Sequence, residues 1–510
     1  MSDAYDVVCV GSGVAALSYS LARLIASPGT RLAIVEKHRI PGGYSTGFFR
    51  PRLNTRFEVS LHKLSGMGPH GNLRSILDRL GVLERLDLVF PDTVFTVRRE
   101  RESIVVPAQA ESACAVLIER FPHCEAGLRE VFHDISSYGL DGYMQFRTLS
   151  GEYEPDIRRL RHAHAHLKTL AVAAALRERI ADPLLCELLS LPCIYVGAFP
   201  EQTSYLYFLH LWYAVLFGQC AYPRGGATAL TSAFVARIEE LGGKVITRAE
   251  ASRILVDPET LTAYGVVTDA GTFESKEVVI NAAPVYTFEQ LIDPTLAGVD
   301  ASASAIAAQQ PASSTTTLYL VLDAPAAEYG IPGCETMLPG QDFGSAQLSR
   351  DVARAAPTDE GLSERAYWHN SALEITDYHR LDPAHGCVLV ANALDVIHHW
   401  PARRTHEYRE KKARAREVLL GRLMAAFPAL EGHVRYVEIA TPRTCLRYTH
   451  NTDGSGFGAL VGPSDGNRGP SRRLPLRNLK FVSHWTSGGG YEATIGYGAW
   501  LGSLVTEHIS

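Results

Sequence analysis

The sequence has little excess of charge of either sign. Its 49 lysines and arginines stand against 55 aspartates and glutamates, a formal net charge of -6 over 510 residues. Nucleic-acid binding needs a concentrated basic surface, so we expect no nucleic-acid partner. The apolar share of 46% and the charged share of 20% are ordinary for globular proteins. Because a chain of this length exceeds what one hydrophobic core usually holds, we expect two domains.

Signals for disulfides, metal, export and membrane spans are also missing. The nine cysteines include no Cys-x-x-Cys pair, and no histidine cluster has zinc spacing, so we predict reduced thiols and no metal. The N-terminus lacks the pattern of a secretory signal, which favours a cytoplasmic protein. The longest apolar run, residues 205–218, contains His210 and is shorter than the roughly 20 residues that span a bilayer. It is predicted to pack in the core, to line an apolar tunnel, or to contact a membrane peripherally.

The first residues present have the pattern of a nucleotide-binding βαβ unit. An apolar strand at 6–10 leads into Gly11-Ser-Gly13-Val-Ala-Ala16, and a helical pattern and a second strand follow. In this fingerprint Gly11 permits a tight turn, Gly13 lets backbone approach a pyrophosphate, and Ala16 lets helix and strand pack closely. Glu36 closes the second strand, where a carboxylate accepts hydrogen bonds from ribose hydroxyls.

Further elements follow from the hydrophobic periodicity. We predict mostly helix from about 95 to 215 and a helix at 229–241, then a long helix at 409–427. A strand, a glycine-rich turn and a helix are predicted over 479–509. Other strands are predicted at 244–247, 252–256, 263–268, 272–273, 278–281, 315–322 and 387–393.

Two glycine-rich segments change the predicted cofactor from NAD to FAD. Pro41-Gly42-Gly43-Tyr44-Ser45-Thr46 places paired glycines shortly after Glu36, where backbone can lie against an extended dinucleotide. In residues 483–498, glycines 488–490 precede a helix whose first N–H groups can face a flavin. The first segment resembles the corresponding part of the amine oxidase-like FAD superfamily.

The resemblance is closer to one subgroup, which contains phytoene desaturases, carotenoid cis-trans isomerases and all-trans-retinol saturases. The matching segments occur in the family's order, at 56–62, 221–227, 250–254 with 265–267, 278–283, 441–448, 454–458 and the terminal block. The resemblance implies an α/β fold with a Rossmann-type FAD-binding domain and an inserted α+β substrate-binding domain. It implies an FAD-binding domain at 1–95, 215–290 and 430–510, and a substrate-binding domain at 96–214 and 291–429.

The resemblance also implies a set of cofactor-binding residues. Where many relatives have Gly-Asp before the terminal glycines, this chain has Ser483-His484-Trp485. The expected FAD contacts are Gly11, Gly13, Ala16, Glu36, Lys37, Gly42, Gly43, Tyr44, Ser45, Ala251, Trp485, Gly489, Gly490, Ala493 and Thr494.

Three residues are candidates for catalysis. His62 is the first, since imidazole titrates near neutrality and its segment lies beside the flavin in the family. His484 and Glu492 flank the terminal glycine loop. Each of the three has a structural alternative, in core hydrogen bonding, capping or packing. Glu58 is predicted to pair with Arg50, Arg52 or Arg56 rather than to act in catalysis.

Three functions stay open on the sequence alone. The first is FAD-dependent desaturation, saturation or cis-trans isomerisation of carbon-carbon double bonds in a lipophilic polyene, carotenoid- or retinoid-like. The second is amine oxidation by the same kind of flavoprotein. The third is a flavin-free protein that binds a prenylated partner, which the fingerprint of Gly11, Gly13, Ala16 and Glu36 argues against. The oligomeric state is not indicated.

Overall fold

The structure is a computed structural model, and it describes residues 3–99, 102–149, 151–340, 364–463 and 475–504. The last predicted residues of the terminal helix, 505–509, lie outside this part of the chain. Short 3₁₀ and π turns connect the helices and strands. The described strands are β1 (Asp3–Val10), β2 (Leu32–Glu36), β3 (Gly47–Arg50), β4 (Thr55–Glu58), β5 (Leu88–Val89), β6 (Thr93–Arg99), β7 (Glu102–Pro107), β8 (Tyr222–Pro223), β9 (Lys244–Thr247), β10 (Ala251–Asp257), β11 (Thr262–Thr268), β12 (Gly271–Ile280), β13 (Ser314–Leu322), β14 (Glu335–Leu338), β15 (Leu373–Asp377), β16 (Val388–Asp395), β17 (Val434–Ala440) and β18 (Leu479–Phe481).

The helices lie before β8, between β8 and β13, and after β14. They are Val14–Ala26, Asn72–Arg79, Ala110–Arg120, Glu125–Asp134, Leu140–Tyr143, Gln145–Leu149, Ile157–His162, Val172–Arg179, Pro183–Ser190, Tyr205–Leu216, Gly226–Glu240, Pro284–Tyr286, Val299–Ala307, Glu364–Asn370, Tyr378–Leu381, His406–Ala426, Pro442–Thr449, His484–Ser487 and Tyr491–Ser503.

The first sheet is the predicted Rossmann-type sheet. Strands β18, β12, β1, β2 and β9 lie side by side and run parallel, and β10 and β11 extend the sheet with antiparallel pairs. All five residues of β2 are buried, as are the apolar residues 7–10 of β1. Strands covered on both faces have such near-continuous apolar runs. The predicted α/β class is therefore confirmed.

Most strands of the second sheet come from residues predicted for the inserted domain. Its order is β17-β13-β16-β15-β14-β6-β7, with antiparallel neighbours except for the parallel pair β14 and β6. Strand β17 lies in this sheet, although residues 430–510 were predicted for the cofactor domain. The domain boundaries otherwise stay a prediction.

Two secondary-structure predictions were wrong. Residues 93–107 form the hairpin β6–β7 rather than helix, because the β-branched and aromatic residues at 93–97 favour a strand, and residues 94–97 are all buried inside the sheet. The separate strands predicted at 272–273 and 278–281 are the single strand β12. Its polar middle keeps an alternation of buried and exposed residues, since Phe273 and Ser275 are buried and Glu274 and Lys276 are exposed.

Helix Val14–Ala26 and helix Tyr491–Ser503 contact each other through their backbones. A Cβ at Gly498 would lie 2.2 Å from the carbonyl oxygen of Ala15, and one at Gly502 would lie 2.2 Å from that of Tyr19. Two glycines one helical turn apart therefore set the distance between these helices. The contact places the beginnings of both helices at the same cavity.

This contact predicts opposite effects for two glycine-to-alanine substitutions. Gly498→Ala should destabilise the protein by about 2 kcal/mol, because the methyl group has no room against backbone. Gly421→Ala is the matched control. It lies inside helix His406–Ala426 with no atom within 4 Å of the added Cβ, so it should stabilise by roughly 0.5–1 kcal/mol. Thermal unfolding measures both, and equal shifts would contradict the packing argument.

Candidate active site

One cavity of about 2070 Å³ is lined by residues of both sheets and of the helices around them. The lining includes the turn after β1, the end of β2, helix Tyr205–Leu216 and strands of the second sheet. A cavity of this size exceeds the usual range for one drug-sized ligand, so it has room for a cofactor and a substrate together.

The fingerprint turn and Glu36 form one hydrogen-bonded unit. Gly11 has φ +92° and its N–H donates to the carbonyl of Val35 at 2.8 Å, which fixes the tight turn. Ser12 donates to Glu36 Oε2 from its backbone N–H at 3.0 Å and from its hydroxyl at 2.6 Å. Glu36 is 5% exposed, and it lines the cavity. The carboxylate is thus held at the end of β2, where a ribose would reach it.

The paired glycines lie against the fingerprint. Gly13 and Gly42 form a β-bridge, and a Cβ at Gly43 would lie 3.3 Å from the Cα of Gly13. A Cβ at Gly42 would come within 2.3 Å of the Ser45 carbonyl oxygen. The two loops therefore form a cradle of bare backbone beside the beginning of helix Val14–Ala26, which offers unpaired N–H groups to an anion.

Asn281 takes part in this cradle, and the sequence reasoning missed its role. Its Oδ1 accepts a hydrogen bond from the N–H of Gly13 at 2.8 Å, and its Nδ2 donates to the carbonyl of Val482 at 2.6 Å. The signal was present, because Asn281 ends an apolar strand inside one of the matching segments. Asn281 links β12, β18 and the fingerprint.

Glu492 lies where the terminal helix begins, at the cavity. Its Oε2 accepts a hydrogen bond from the Ser65 hydroxyl at 2.6 Å, and its buried Oε1 has no hydrogen-bond partner among the described residues. Burial raises the pKa of this carboxyl from 4.5 to about 7. Glu492 can therefore hold or release a proton near neutrality.

The two candidate histidines differ in their surroundings. His484 lines the cavity, its Nε2 has no hydrogen-bond partner in the described structure, and burial lowers its pKa to about 4. His62 also lines the cavity, but Nδ1 lies 2.7 Å from Thr376 Oγ1 and Nε2 lies 3.1 Å from Asn392 Nδ2. Burial lowers the pKa of His62 to about 4 as well. Since both ring nitrogens of His62 are occupied, the geometry favours its structural alternative.

Most other predicted cofactor residues line the cavity, and two do not. Trp485 is 1% exposed and does not line the cavity, but its indole N–H donates at 2.9 Å to Oδ1 of Asn451, which does. Ala16 is fully buried where close packing was predicted for it. The remaining predicted residues that line the cavity are Lys37, Tyr44, Ser45, Ala251, Gly489, Gly490, Ala493 and Thr494.

The expected salt bridge of Glu58 is not formed. Arg50 pairs with Glu438 instead, with Nε 2.8 Å from Oε2. Glu58 accepts a hydrogen bond at 3.1 Å from the N–H of Ala227, at the beginning of helix Gly226–Glu240. Burial raises the pKa of Glu58 to about 8. The buried position on β4 explains the difference, because it faces a helix N-terminus rather than the surface arginines.

The apolar wall of the cavity comes from helix Tyr205–Leu216. Its buried or half-buried side chains pack in the core on one face, and Leu206, Tyr207, Leu211 and Val215 line the cavity. His210 lines the cavity too, with its pKa lowered to about 4 by burial. Apart from Phe217, which is 42% exposed, the run therefore lies inside the protein, as the tunnel and core alternatives require.

Comparisons with known proteins agree with this architecture. The family described as an NAD(P)-binding Rossmann-like domain matches residues 9–80. The chain is 28% identical over 303 residues to prolycopene isomerase 1 of an Oncidium hybrid cultivar, covering 57% of this chain and 50% of that protein. It is 23% identical over 485 residues to all-trans-retinol 13,14-reductase of Rattus norvegicus, covering 89% of this chain and 77% of that protein. The match thus spans about half the length of the prolycopene isomerase.

Solved structures share the whole fold. An oxidoreductase from Methanosarcina mazei matches with a TM-score of 0.63 at 16% identity, covering 97% of this chain and 98% of that one. Cyclohexylamine oxidase from Brevibacterium oxydans matches with a TM-score of 0.59 at 15% identity and 98% coverage of both chains. The Rossmann-like match and the curated relatives support the resemblance to FAD-dependent oxidoreductases. At these identities the matches to solved structures establish the fold alone.

None of the helices in the described ranges has the length and apolar character needed to cross a bilayer.

Glu492 should make stability depend on pH. Its pKa is raised in the folded state, so the folded protein binds this proton more tightly than the unfolded chain does. Stability is therefore lost as pH rises from about 4.5 to about 7, by roughly 3 kcal/mol in all. Glu492→Gln removes this loss. The unfolding temperature of the variant minus that of the unsubstituted protein should therefore increase as pH rises from about 4.5 to about 7.

The measurement is thermal unfolding of cofactor-free protein across this pH interval. The exposed Glu239→Gln is the matched control, and it should give a constant difference at every pH. A constant difference for Glu492→Gln as well would show that its carboxyl titrates as it does in the unfolded chain.

Proposed function

We propose that this protein binds FAD non-covalently in the cavity and acts on carbon-carbon double bonds of a lipophilic polyene. The observation that carries the proposal is that one cavity joins a backbone cradle next to Glu36 with an apolar wall on helix Tyr205–Leu216. A dinucleotide fits the backbone cradle, and a long apolar molecule fits the apolar wall. Glu492 and His484 line the same cavity, and each has a buried polar atom without a partner in the described structure.

The residues of the cradle suit FAD. Gly13, Gly42 and Gly43 leave the backbone bare, and the beginnings of helices Val14–Ala26 and Tyr491–Ser503 supply N–H groups and positive dipole ends. Glu36 would accept hydrogen bonds from the adenosine ribose. The free Nε2 of His484 lies in the segment where many relatives have an acidic residue, and it would hydrogen-bond the cofactor there.

Bound FAD would supply a reversible acceptor of hydride. The protein's own residues exclude water from the apolar end and orient the substrate. Glu492 holds a proton that it can exchange near neutral pH, which saturation of a double bond needs and isomerisation does not. The relatives named prolycopene isomerase and all-trans-retinol 13,14-reductase support a polyene substrate. Saturation, desaturation and isomerisation all fit this arrangement.

The absorption spectrum of purified protein tests the cofactor. Paired flavin bands that appear in the supernatant after heat denaturation support non-covalent FAD. A colourless protein that takes up no added FAD would overturn the proposal in favour of the flavin-free binding hypothesis.

Gly42→Ala should lower the FAD content of purified protein at least about tenfold, because its Cβ would approach the Ser45 carbonyl oxygen and distort the cradle. Gly29→Ala is the matched control. It also has positive φ, at +88°, but no atom lies within 4 Å of the added Cβ. Both variants strain the backbone, and only the first closes the cradle. Equal FAD contents in Gly42→Ala and Gly29→Ala would contradict the binding of FAD against the cradle at Gly42.

Glu492→Gln should retain FAD and lower the turnover of a polyene by about 10²-fold or more if the carboxyl moves a proton. The pH profile of the unsubstituted protein should show an ionisation near 7 that is absent in this variant. Ser65→Ala is the matched control. It removes the hydrogen bond that favours the carboxylate, so the ionisation should move to higher pH without being lost. An unchanged profile in both variants would exclude Glu492 from the reaction.

A further inference from the structure

The lining of the cavity has a charge opposite to that of the whole protein. The described residues that line it include twelve lysines and arginines but only six glutamates and no aspartate, although the chain has a formal net charge of -6. The pyrophosphate of bound FAD would neutralise only about two of these positive charges, and a hydrocarbon polyene would neutralise none. The cavity therefore carries more positive charge than the proposed cofactor and substrate require.

Four of these cations lie together where helix His406–Ala426 begins. Arg403 and Arg404 precede the helix. Arg409 and Lys412 are three residues apart on it and therefore share a face. All four line the cavity, and Arg404 and Arg409 are also exposed, so the cavity opens to solvent here. We call these four residues the basic group.

The glutamate beside the basic group already has partners. The guanidinium of Arg50 donates to both carboxylate oxygens of Glu438, with Nε 2.8 Å from Oε2, and the hydroxyl of Tyr436 donates to Oε2 at 2.8 Å. The charge of Lys412 acts on the same carboxylate, but the two groups are not in contact. Among the described residues, no carboxylate oxygen lies within 4.0 Å of a side-chain nitrogen of the basic group.

The acidic residues of the same helix do not compensate this charge. Glu407 and Glu410 do not line the cavity, and Oε2 of Glu410 lies 3.5 Å from Nδ1 of His406. Like charges three residues apart on a helix repel each other, so Arg409 and Lys412 are unfavourable neighbours without a counter-charge. A bound anion would supply that charge.

An exposed aromatic ring lies on the neighbouring strand β3. Phe49 precedes Arg50, is 44% exposed and lines the cavity. The guanidinium of Arg50 lies over the ring of Phe48 instead, 4.5 Å from its centroid. The ring of Phe49 therefore has a free face on which a nucleobase can stack. Cationic side chains for phosphate together with an aromatic face for a base are typical of nucleotide binding.

We propose that the basic group binds the phosphate groups of a second, dissociable ligand, a nicotinamide dinucleotide phosphate that reduces bound FAD. Its phosphate groups carry about four negative charges near neutral pH, which the four cations would balance. Transfer of hydride from C4 of the reduced nicotinamide to N5 of the flavin, with one proton from solvent, would give the oxidised dinucleotide and reduced FAD. This inference rests on the proposed function, since it assumes that FAD occupies the cradle.

The test measures binding of NADPH to the FAD-loaded protein by the fluorescence of the reduced nicotinamide. NADH lacks the 2′-phosphate and should bind at least about tenfold more weakly. Inorganic pyrophosphate should compete with NADPH, and high salt should weaken binding because it screens exposed charges. Mixing with NADPH in the absence of oxygen should bleach the flavin absorption.

Two substitutions separate the phosphate site from the site of the base. Arg409→Gln should weaken NADPH binding about tenfold and leave the FAD content unchanged, because it removes a charged partner of the phosphates. Arg416→Gln is the matched control, since Arg416 is exposed on the same helix and does not line the cavity. Phe49→Leu should weaken NADPH and NADH alike by about fivefold and leave the affinity for pyrophosphate unchanged.

Each failure has a distinct meaning. FAD-loaded protein that binds neither NADPH nor pyrophosphate would overturn the inference and leave the proposed function intact. Equal weakening by Arg409→Gln and Arg416→Gln would contradict it as well, because the effect would then be one of net charge. NADPH binding without bleaching of the flavin would refute the role as reductant. A colourless protein that takes up no FAD would remove the proposed function, and this inference with it.

Discussion

The close contact between helices Val14–Ala26 and Tyr491–Ser503 is the constraint on which the cavity depends. Bare backbone at Gly498 and Gly502 lets the two axes approach to a distance that side chains would prevent. Both helices then begin at the cavity, so that two sets of unpaired N–H groups and two positive dipole ends point into it. The hydrogen bonds between Gly13, Asn281 and Val482 fix the strands beneath the same helices.

Burial sets the charge state of the cavity more than any individual ion pair does. The pKa values of His62 and His484 are lowered to about 4, and that of Glu492 is raised to about 7, in each case mainly by removal from water. The carboxyl of Glu374 is displaced in the same direction. Burial therefore disfavours the charged forms of these four groups, and it lowers the cost of placing apolar atoms against them.

The sequence was most informative where structure is local. A βαβ unit, its glycines and Glu36 occupy one short segment. Hydrophobic periodicity predicted the strands of the first sheet, but in the second sheet it predicted only β13 and β16. It was least informative where a residue's role depends on partners distant in the chain. Glu335 and Glu374 lie in short apolar strands with no motif around them, and only the sheet brings them to Lys63 and His62. That Trp485 does not line the cavity, and that Glu58 faces a helix rather than an arginine, has the same cause, because the direction of a side chain is set by packing that adjacent residues do not reveal.

The order of strands has a consequence for biosynthesis. Residues 278–280 of β12 pair with β18, which the ribosome makes about two hundred residues later. Until then, that edge of the parallel sheet exposes unpaired backbone N–H and C=O groups, and Asn281 lacks the Val482 carbonyl that orients its amide. The nascent chain must therefore carry an open sheet edge while about two hundred residues are made. The support that Asn281 gives to Gly13 is complete only once Val482 is in place.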